Sequence, residues 1–265
     1  MNRKIYTTAM KELVSRKAFP VTFLVLALMY FLFPGVTIRG NFQLAYFGTV
    51  ANLITGPELY VVILATVTIP GAVAGICRNQ FYDVEKTTQM GPGRYLLFRL
   101  LGYTTVLWAC WHVFPVCALT NYVQHHYRFE QFAGKTTDLL MRIAYGEFLF
   151  ILPSCFCMAA VATAITLVFR RALPGVLCFS AWIAGNLCMH LLERLSFIDF
   201  VYTGRFFRGF LLNYKCPIGL QTVLGAMKIY TVPHLLLWSG YILLVAGIAF
   251  VTGYMVLKKK DMVRV

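Results

Sequence analysis

Six long, nearly charge-free apolar runs constrain this chain more than any other feature of its sequence. They cover residues 20–36, 59–77, 100–120, 148–169, 172–192 and 233–257. Each is close to the roughly 20 residues with which a helix crosses a bilayer. A soluble core cannot hide six such segments, so lipid must surround them, and each backbone polar group must then be satisfied within a helix. The sequence therefore predicts an all-α polytopic membrane protein with six transmembrane helices.

The length of the chain leaves room for little besides a membrane bundle. Its residues are 59% hydrophobic and 13% charged, far from the composition of an average soluble domain. The longest connections between runs are about 40 residues, too short for a substantial soluble domain. Residues 1–265 are therefore predicted to form one transmembrane domain.

The formal net charge of +14 at pH 7 would suggest nucleic acid as the partner of a soluble protein. In a membrane protein, topology explains it better, because Lys and Arg beside spans are retained on the cytoplasmic side. Both termini of this chain are rich in Lys and Arg. We therefore predict a multi-pass protein of the cell inner (cytoplasmic) membrane, with both termini cytoplasmic, membrane lipid as a partner and no nucleic acid.

The N-terminal segment 1–19 has the pattern of an amphipathic helix. Ile5, Ala9 and Leu13 recur at helical spacing, and basic residues surround them. A basic face suits an anionic cytoplasmic leaflet, which predicts an interfacial helix. A simple topogenic tail is the alternative.

Two connections are more apolar than ordinary loops. Residues 40–57 carry no charge before Glu58, but they contain Asn, Gln, Gly and Pro, so a re-entrant or interfacial segment is favoured over a seventh span. The outer connection 192–232 mixes apolar stretches with a few cations, which predicts short interfacial or re-entrant helices before the last span.

Small residues mark two faces for close helix packing. Gly71 and Gly75 flank three small or apolar residues in the second span, directly after Pro70. Alanines and a threonine fill most of 159–164 in the fourth span. Such faces let helix backbones approach closely, so both are predicted to contact neighbouring helices.

Catalytic motifs are missing from the sequence. Gly134-Lys135-Thr136 is not a phosphate-binding loop, because position 129 is Phe and no strand precedes it. His190-Leu-Leu-Glu193 is followed by Arg rather than by the second His of a zinc motif. We therefore predict no catalytic residue, no metal ligand and no cofactor on this chain.

Most cysteines lie inside spans, where they act as small apolar residues. Cys155 and Cys157 are two apart, so on a helix they point to different faces and make a poor metal pair. Cys216 lies in the outer connection, and the sequence leaves its oxidation state open.

Four polar groups lie within or near spans: His112, Asn186, Glu58 and Glu147. Ionisable groups at such positions are candidates for function. Hydrogen bonds between helices, or positions at the membrane interface, are nevertheless the favoured interpretation for all four.

The link between the second and third spans is the most informative polar segment. Its first half mixes charges with two aromatic residues; a break at Gly91-Pro92-Gly93 follows, and Arg94 then opens the third span. This order predicts a short charged helix, a turn and a helix that restarts toward the membrane.

With this link, the basic N-terminal helix and the six spans, the chain resembles the membrane subunit of a type-2 ABC exporter. That class includes bacterial exporters of drugs, peptides and polysaccharides. The stretch 83–97 has the shape that members carry between spans two and three, although Thr87-Thr88 stands where Gly-Thr is common.

The resemblance implies a separate ATP-binding cassette subunit, which would bind ATP and Mg, and a second permease chain, identical or related. The residues that would contact the ATPase are Phe81, Tyr82, Asp83, Val84, Glu85, Lys86, Arg94, Lys11 and Glu12. The residues that would line the translocation pathway are Thr66, Phe179, Trp182, Asn186 and Met189. An aromatic and Met-containing lining suits a hydrophobic or amphipathic cargo.

Two other classes of function remain open. One is an intramembrane enzyme acting on lipid or peptide, with catalytic residues among His112, His190, Glu193 and the cysteines. The other is an ATP-independent membrane scaffold or sensor. Within the exporter hypothesis, the cargo (peptide, antibiotic or lipid-like), the direction of transport and the choice between homodimer and heterodimer stay open.

Overall fold

The computed structural model describes residues 2–32, 57–78, 91–126, 144, 147–191 and 232–262. Within these ranges the chain is helical and contains no β-strand. The helices are α1 (Asn2–Val14), α2 (Ala18–Leu32), α3 (Glu58–Arg78), α4 (Pro92–His126), α5 (Leu152–Phe169), α6 (Ala172–Leu191) and α7 (Val232–Met262), with a π-helical turn at Glu147–Ile151 before α5. The predicted segment at 81–86, all of 40–57 except Pro57, and nearly all of 192–232 lie outside the described residues.

The apolar runs of the sequence are helices in the described part of the chain, so the all-α prediction is confirmed there and the helices are compatible with a membrane protein. The number of six spans stays a prediction. Among the described residues, four stretches are long and apolar enough to span a bilayer: Glu58–Gly75, Pro92–Phe114, Glu147–Phe169 and Ser239–Lys259. A bent pair, Arg3–Val14 with Ala18–Leu32, makes up to five if it counts as one span. The first half of α6, Ala172–Ala181, is apolar as well but shorter than these stretches.

Local sequence sets the helix ends. The chain turns between α1 and α2, where the Phe19 N–H donates to Arg16 O at 2.9 Å, and the two helix axes differ by 65°. Pro92 begins α4, since a first-turn proline loses no helical hydrogen bond. α5 ends at Arg170, which has a left-handed φ of 54° and donates its N–H to Thr166 O at 2.8 Å. Because only two residues separate α5 from α6, the two helices run antiparallel as neighbours.

α5 is the centre of the bundle and contacts α3, α4, α6 and α7. Its small residues in 159–164 are buried, which confirms the predicted packing face. α6 also lies close to α5 and α3, because a Cβ at Gly175 would lie 2.5 Å from Thr166 Oγ1 and 3.3 Å from Pro70 Cβ. Close backbones of this kind replace the hydrophobic drive that is missing between helices in lipid.

The Gly71–Gly75 face of α3 differs from its prediction. The atoms nearest to these glycines belong to the side chain of Arg16, not to another helix: a Cβ at Gly71 would lie 3.7 Å from Arg16 Nη1, and one at Gly75 would overlap the guanidinium. The turn between α1 and α2 brings Arg16 to this surface. The small residues therefore make room for a long cationic side chain.

Candidate functional site at the junction of α1 and α4

The apolar stripe of α1 packs against the bundle, mainly against α4. Ile5, Ala9 and Leu13 are all buried, as expected for the inner face of an amphipathic helix. At the closest point, a Cβ at Gly102 would lie 2.8 Å from Tyr6 O and 2.9 Å from Ala9 Cβ. Since no larger residue fits at this distance, Gly102 sets where α1 rests on α4.

An ion pair closes this junction. Arg99 is only 2% exposed, and its guanidinium reaches both carboxylate oxygens of Glu12, with Nη1 at 2.5 Å from Oε2 and Nη2 at 3.3 Å from Oε1. Nη1 also donates to Tyr103 OH at 3.2 Å, and the Arg99 Cζ lies 5.1 Å from the centre of the Tyr95 ring. The buried charge is therefore compensated by a carboxylate, a hydroxyl and an aromatic face.

Arg99 lies close to the segment that links the second and third apolar runs. Arg99 lies two turns after Pro92, the first residue of α4 and the first helical residue after the 79–90 segment. A second polar contact, from Tyr6 OH to Thr105 Oγ1 at 2.9 Å, lies further along the same interface. Charge, hydrogen bond and close backbone packing together join α1 and the first turns of α4 into one unit.

The predicted ATPase-contacting residues divide into three groups. Residues 81–86, hence Phe81, Tyr82, Asp83, Val84, Glu85 and Lys86, lie outside the described residues. Lys11 on α1 and Arg94 in the first turn of α4 are exposed and accessible to a partner. Glu12 is turned inward to Arg99 instead.

The predicted pathway residues lie on α3 and α6, which contact each other. Thr66 is buried and donates its hydroxyl to Val62 O at 2.7 Å, and Phe179 is fully buried. Trp182, Asn186 and Met189 are within α6, but their side chains are not among those described. Of the five residues, the structure therefore places two, and both are packed inside this chain.

A second polar cluster joins α4 to the start of α5. His112 Nε2 lies 3.2 Å from Glu147 Oε2, and the Trp108 indole N–H donates to the other oxygen of Glu147. The rings of Trp108 and His112 meet edge to face, with centroids 5.0 Å apart. Glu147 is therefore hydrogen-bonded between helices, as the favoured interpretation expected, and His112 lies within ion-pair distance of it.

Within the described ranges, no group of three or more His, Cys, Asp or Glu side chains is placed to hold a metal ion. Cys110, Cys155 and Cys157 are buried free thiols, in keeping with their expected role as small apolar residues. His190 and Cys216 have no described side chain.

Sequence reasoning missed Arg99 and Gly102 as parts of a site. In the sequence, Arg99 is one of several cations that precede the third apolar run. A signal was available, because an Arg within the first ten residues of an otherwise apolar helix needs a partner. Its partner Glu12, 87 residues earlier in the chain, had no such signal.

Comparisons with protein-family models, with curated proteins and with solved structures find no match to this chain.

Proposed function

We propose that this chain is the membrane-spanning permease subunit of an ATP-driven ABC exporter. In this proposal six helices span the inner membrane, both termini are cytoplasmic, and two permease chains form the translocation path. A separate ATP-binding subunit supplies ATP hydrolysis and holds ATP and Mg. The apolar 192–232 connection acts as an outer gate.

The observation that carries the proposal is the tight junction of α1 with α4. A transporter driven from the cytoplasm needs an element that receives force and a rigid connection into the bundle. In the proposal residues 81–86 receive the force and pass it directly to α4. α1 moves with α4 because the Glu12–Arg99 pair and the contact at Gly102 hold the two together.

The exposed cations complete the proposed docking surface. Lys11 and Arg94 are open to solvent near the same junction, so they can pair with acidic groups of the ATPase. Glu12 acts from within, by holding α1 in place. This changes its role from partner contact to support.

The cargo follows from the proposed lining on α3 and α6. The aromatic residue Trp182 and Met189 suit a hydrophobic or amphipathic molecule such as a peptide, an antibiotic or a lipid. The cargo would travel between two permease chains. Thr66 and Phe179 are buried within one chain, so in this proposal they do not line the path.

Purification from mild detergent, followed by mass spectrometry of the bound proteins, tests the proposal. We expect an ATP-binding subunit in stoichiometric amount, and its loss when Asp83, Val84 and Glu85 are all replaced with Ala. The matched control replaces Thr88, Gln89 and Met90, which follow the proposed coupling segment, and should retain the subunit.

Recovery of the chain without any ATP-binding protein would contradict the proposal. Equal loss of the ATPase in both triple variants would contradict the role of 81–86. In the first case His112→Ala and His190→Ala would test the intramembrane enzyme instead.

A further inference from the structure

An apolar groove runs between α5 and α7 and opens to the surface of the bundle. Its volume is about 270 Å³, close to the lower end of small-ligand sites at about 300 Å³. The lining residues are Val161, Ala164, Ile165 and Val168 of α5 and Val245, Ile248, Ala249 and Thr252 of α7. The lining is therefore apolar except for one hydroxyl, and that hydroxyl donates to Ile248 O of its own helix at 2.9 Å.

The two helices run in the same direction. Near their starts, Ser239 of α7 donates its hydroxyl to Leu149 O in the turn before α5. Near their ends, a Cβ at Gly253 would lie 3.5 Å from Leu167 Cδ1. The groove consequently leads toward the two C-terminal ends, where α5 is followed by Arg170 and Arg171 and α7 carries Lys258 and Lys259, all exposed.

Helical spacing selects the cation of α7 that borders the groove. Lys259 comes seven residues after Thr252 and 14 after Val245, so it continues the α7 stripe that lines the groove. Lys258 points about 100° away from Lys259. On the other side, Arg171 lies three residues after the groove residue Val168; the left-handed Arg170 ends α5 between them, so the short distance along the chain, not helical spacing, places Arg171 near the end of the groove.

We propose that the groove binds one acyl chain of an anionic phospholipid, whose phosphate is bound by Arg171 and Lys259. The apolar lining matches a hydrocarbon chain, and the cations at its end match a negative headgroup at the membrane surface. Arg is suited to this role because its guanidinium donates two parallel hydrogen bonds to phosphate. The site is independent of the proposed transport function.

The test uses the full-length chain in detergent, titrated with dioleoyl phosphatidylglycerol or with dioleoyl phosphatidylcholine and measured by native mass spectrometry. We expect one phosphatidylglycerol to bind at least about tenfold more tightly than phosphatidylcholine, since each basic residue near an anionic surface contributes about fivefold. Arg171→Gln and Lys259→Gln should each lower phosphatidylglycerol affinity about fivefold. They should lower phosphatidylcholine affinity less, because the choline cation offsets the charge of its phosphate. Lys258→Gln is the matched control and should change neither.

A second pair of variants tests the groove itself. Ile248 is 61% exposed and lines the groove, while Leu243 is 51% exposed and lies about 140° around the same helix. Ile248→Trp should fill the groove and reduce binding of both lipids, whereas Leu243→Trp should not. Circular dichroism checks that both variants stay folded.

Three results of the titrations with these variants would overturn the proposal. They are equal affinity for the two lipids, the same loss in Lys258→Gln as in Lys259→Gln, and unchanged phosphatidylglycerol binding in Ile248→Trp. Displacement of phosphatidylglycerol by an equal concentration of glycerol 1-phosphate would likewise overturn it, because the headgroup would then bind without the groove.

Discussion

Two pairs of helices, α1 with α4 and α5 with α7, are held together by different kinds of contact. At the junction the backbones meet at Gly102, and a buried ion pair between Glu12 and Arg99 closes the contact. Along α5 and α7 the contacts are mainly apolar, and an open groove remains between the helices. A buried ion pair specifies one geometry, whereas apolar contacts in lipid allow nearby alternatives. The comparison therefore predicts a rigid region beside an adaptable one.

The rigidity of the junction and the adaptability of the α5–α7 face agree with where each region lies. The junction lies beside the segment proposed to receive force, where rigidity transmits motion. α7 is the least buried of the four candidate spans, at 28% of its apolar window, so lipid covers most of it. Substitutions should accordingly be costly at the junction and mild on α7.

The largest expected effect comes from removing the acid of the ion pair. Glu12→Ala leaves the Arg99 charge buried and uncompensated, which should lower the free energy of unfolding by about 3 kcal/mol. Unfolding in mixed micelles of mild detergent and dodecyl sulfate measures this loss. A change smaller than that of Lys11→Ala, an exposed neighbour, would mean that the pair does not hold the junction.

A double replacement sharpens the same comparison. With Glu12 and Arg99 both changed to Met, no unpaired charge remains, and apolar side chains of similar size fill the site. Stability should then return close to that of the original chain. Persistent instability would show that the two groups act separately.

The next effect compares two glycines in helices. Gly102→Ala places a Cβ 2.8 Å from a backbone oxygen of α1, and we expect a loss of about 2 kcal/mol from overpacking. Gly247→Ala on α7 meets nothing within 4 Å, so it should be neutral or stabilise the helix by up to about 1 kcal/mol. Equal effects at the two positions would remove the contrast between the regions.

The smallest effect is expected where α7 makes its polar contact. Ser239→Ala removes the hydrogen bond to Leu149 O, and such bonds between membrane helices contribute about 0.6 kcal/mol. The thermal midpoint in detergent should fall by about 2 °C. Thr252→Val, whose hydroxyl bonds only within α7, is the control and should shift the midpoint less.

Much of the helical framework could be predicted because it depends on local pattern. The apolar runs that became α3 to α7 were identifiable from length alone, since a lipid-exposed helix needs nearly continuous apolar sequence. The stripe Ile5, Ala9 and Leu13 also predicted helix α1. For His112 and Glu147, the sequence predicted polar contacts between helices or positions at the membrane interface, but it did not predict that the two residues contact each other.

The partners themselves could not be predicted, for a physical reason. Pairing Glu12 with Arg99 depends on how two helices far apart in sequence pack, and several cations near the termini offered equal charge. The Gly71–Gly75 face illustrates the same limit. Its small residues predicted a close contact, but helix packing put the Arg16 side chain there instead of a backbone.

Local composition thus decided that this chain is a helical membrane protein, which residues are helical and where an amphipathic helix begins. Those properties follow from the hydrophobic pattern and from the hydrogen-bonding needs of a backbone in lipid. Only the tertiary structure decided that α1 rests on α4, that Arg99 has Glu12 as its counter-ion and that α5 and α7 leave a groove ending near cations. Each of these depends on distances between distant segments, and apolar helices of similar composition offer many packings until close contacts and buried charges select one.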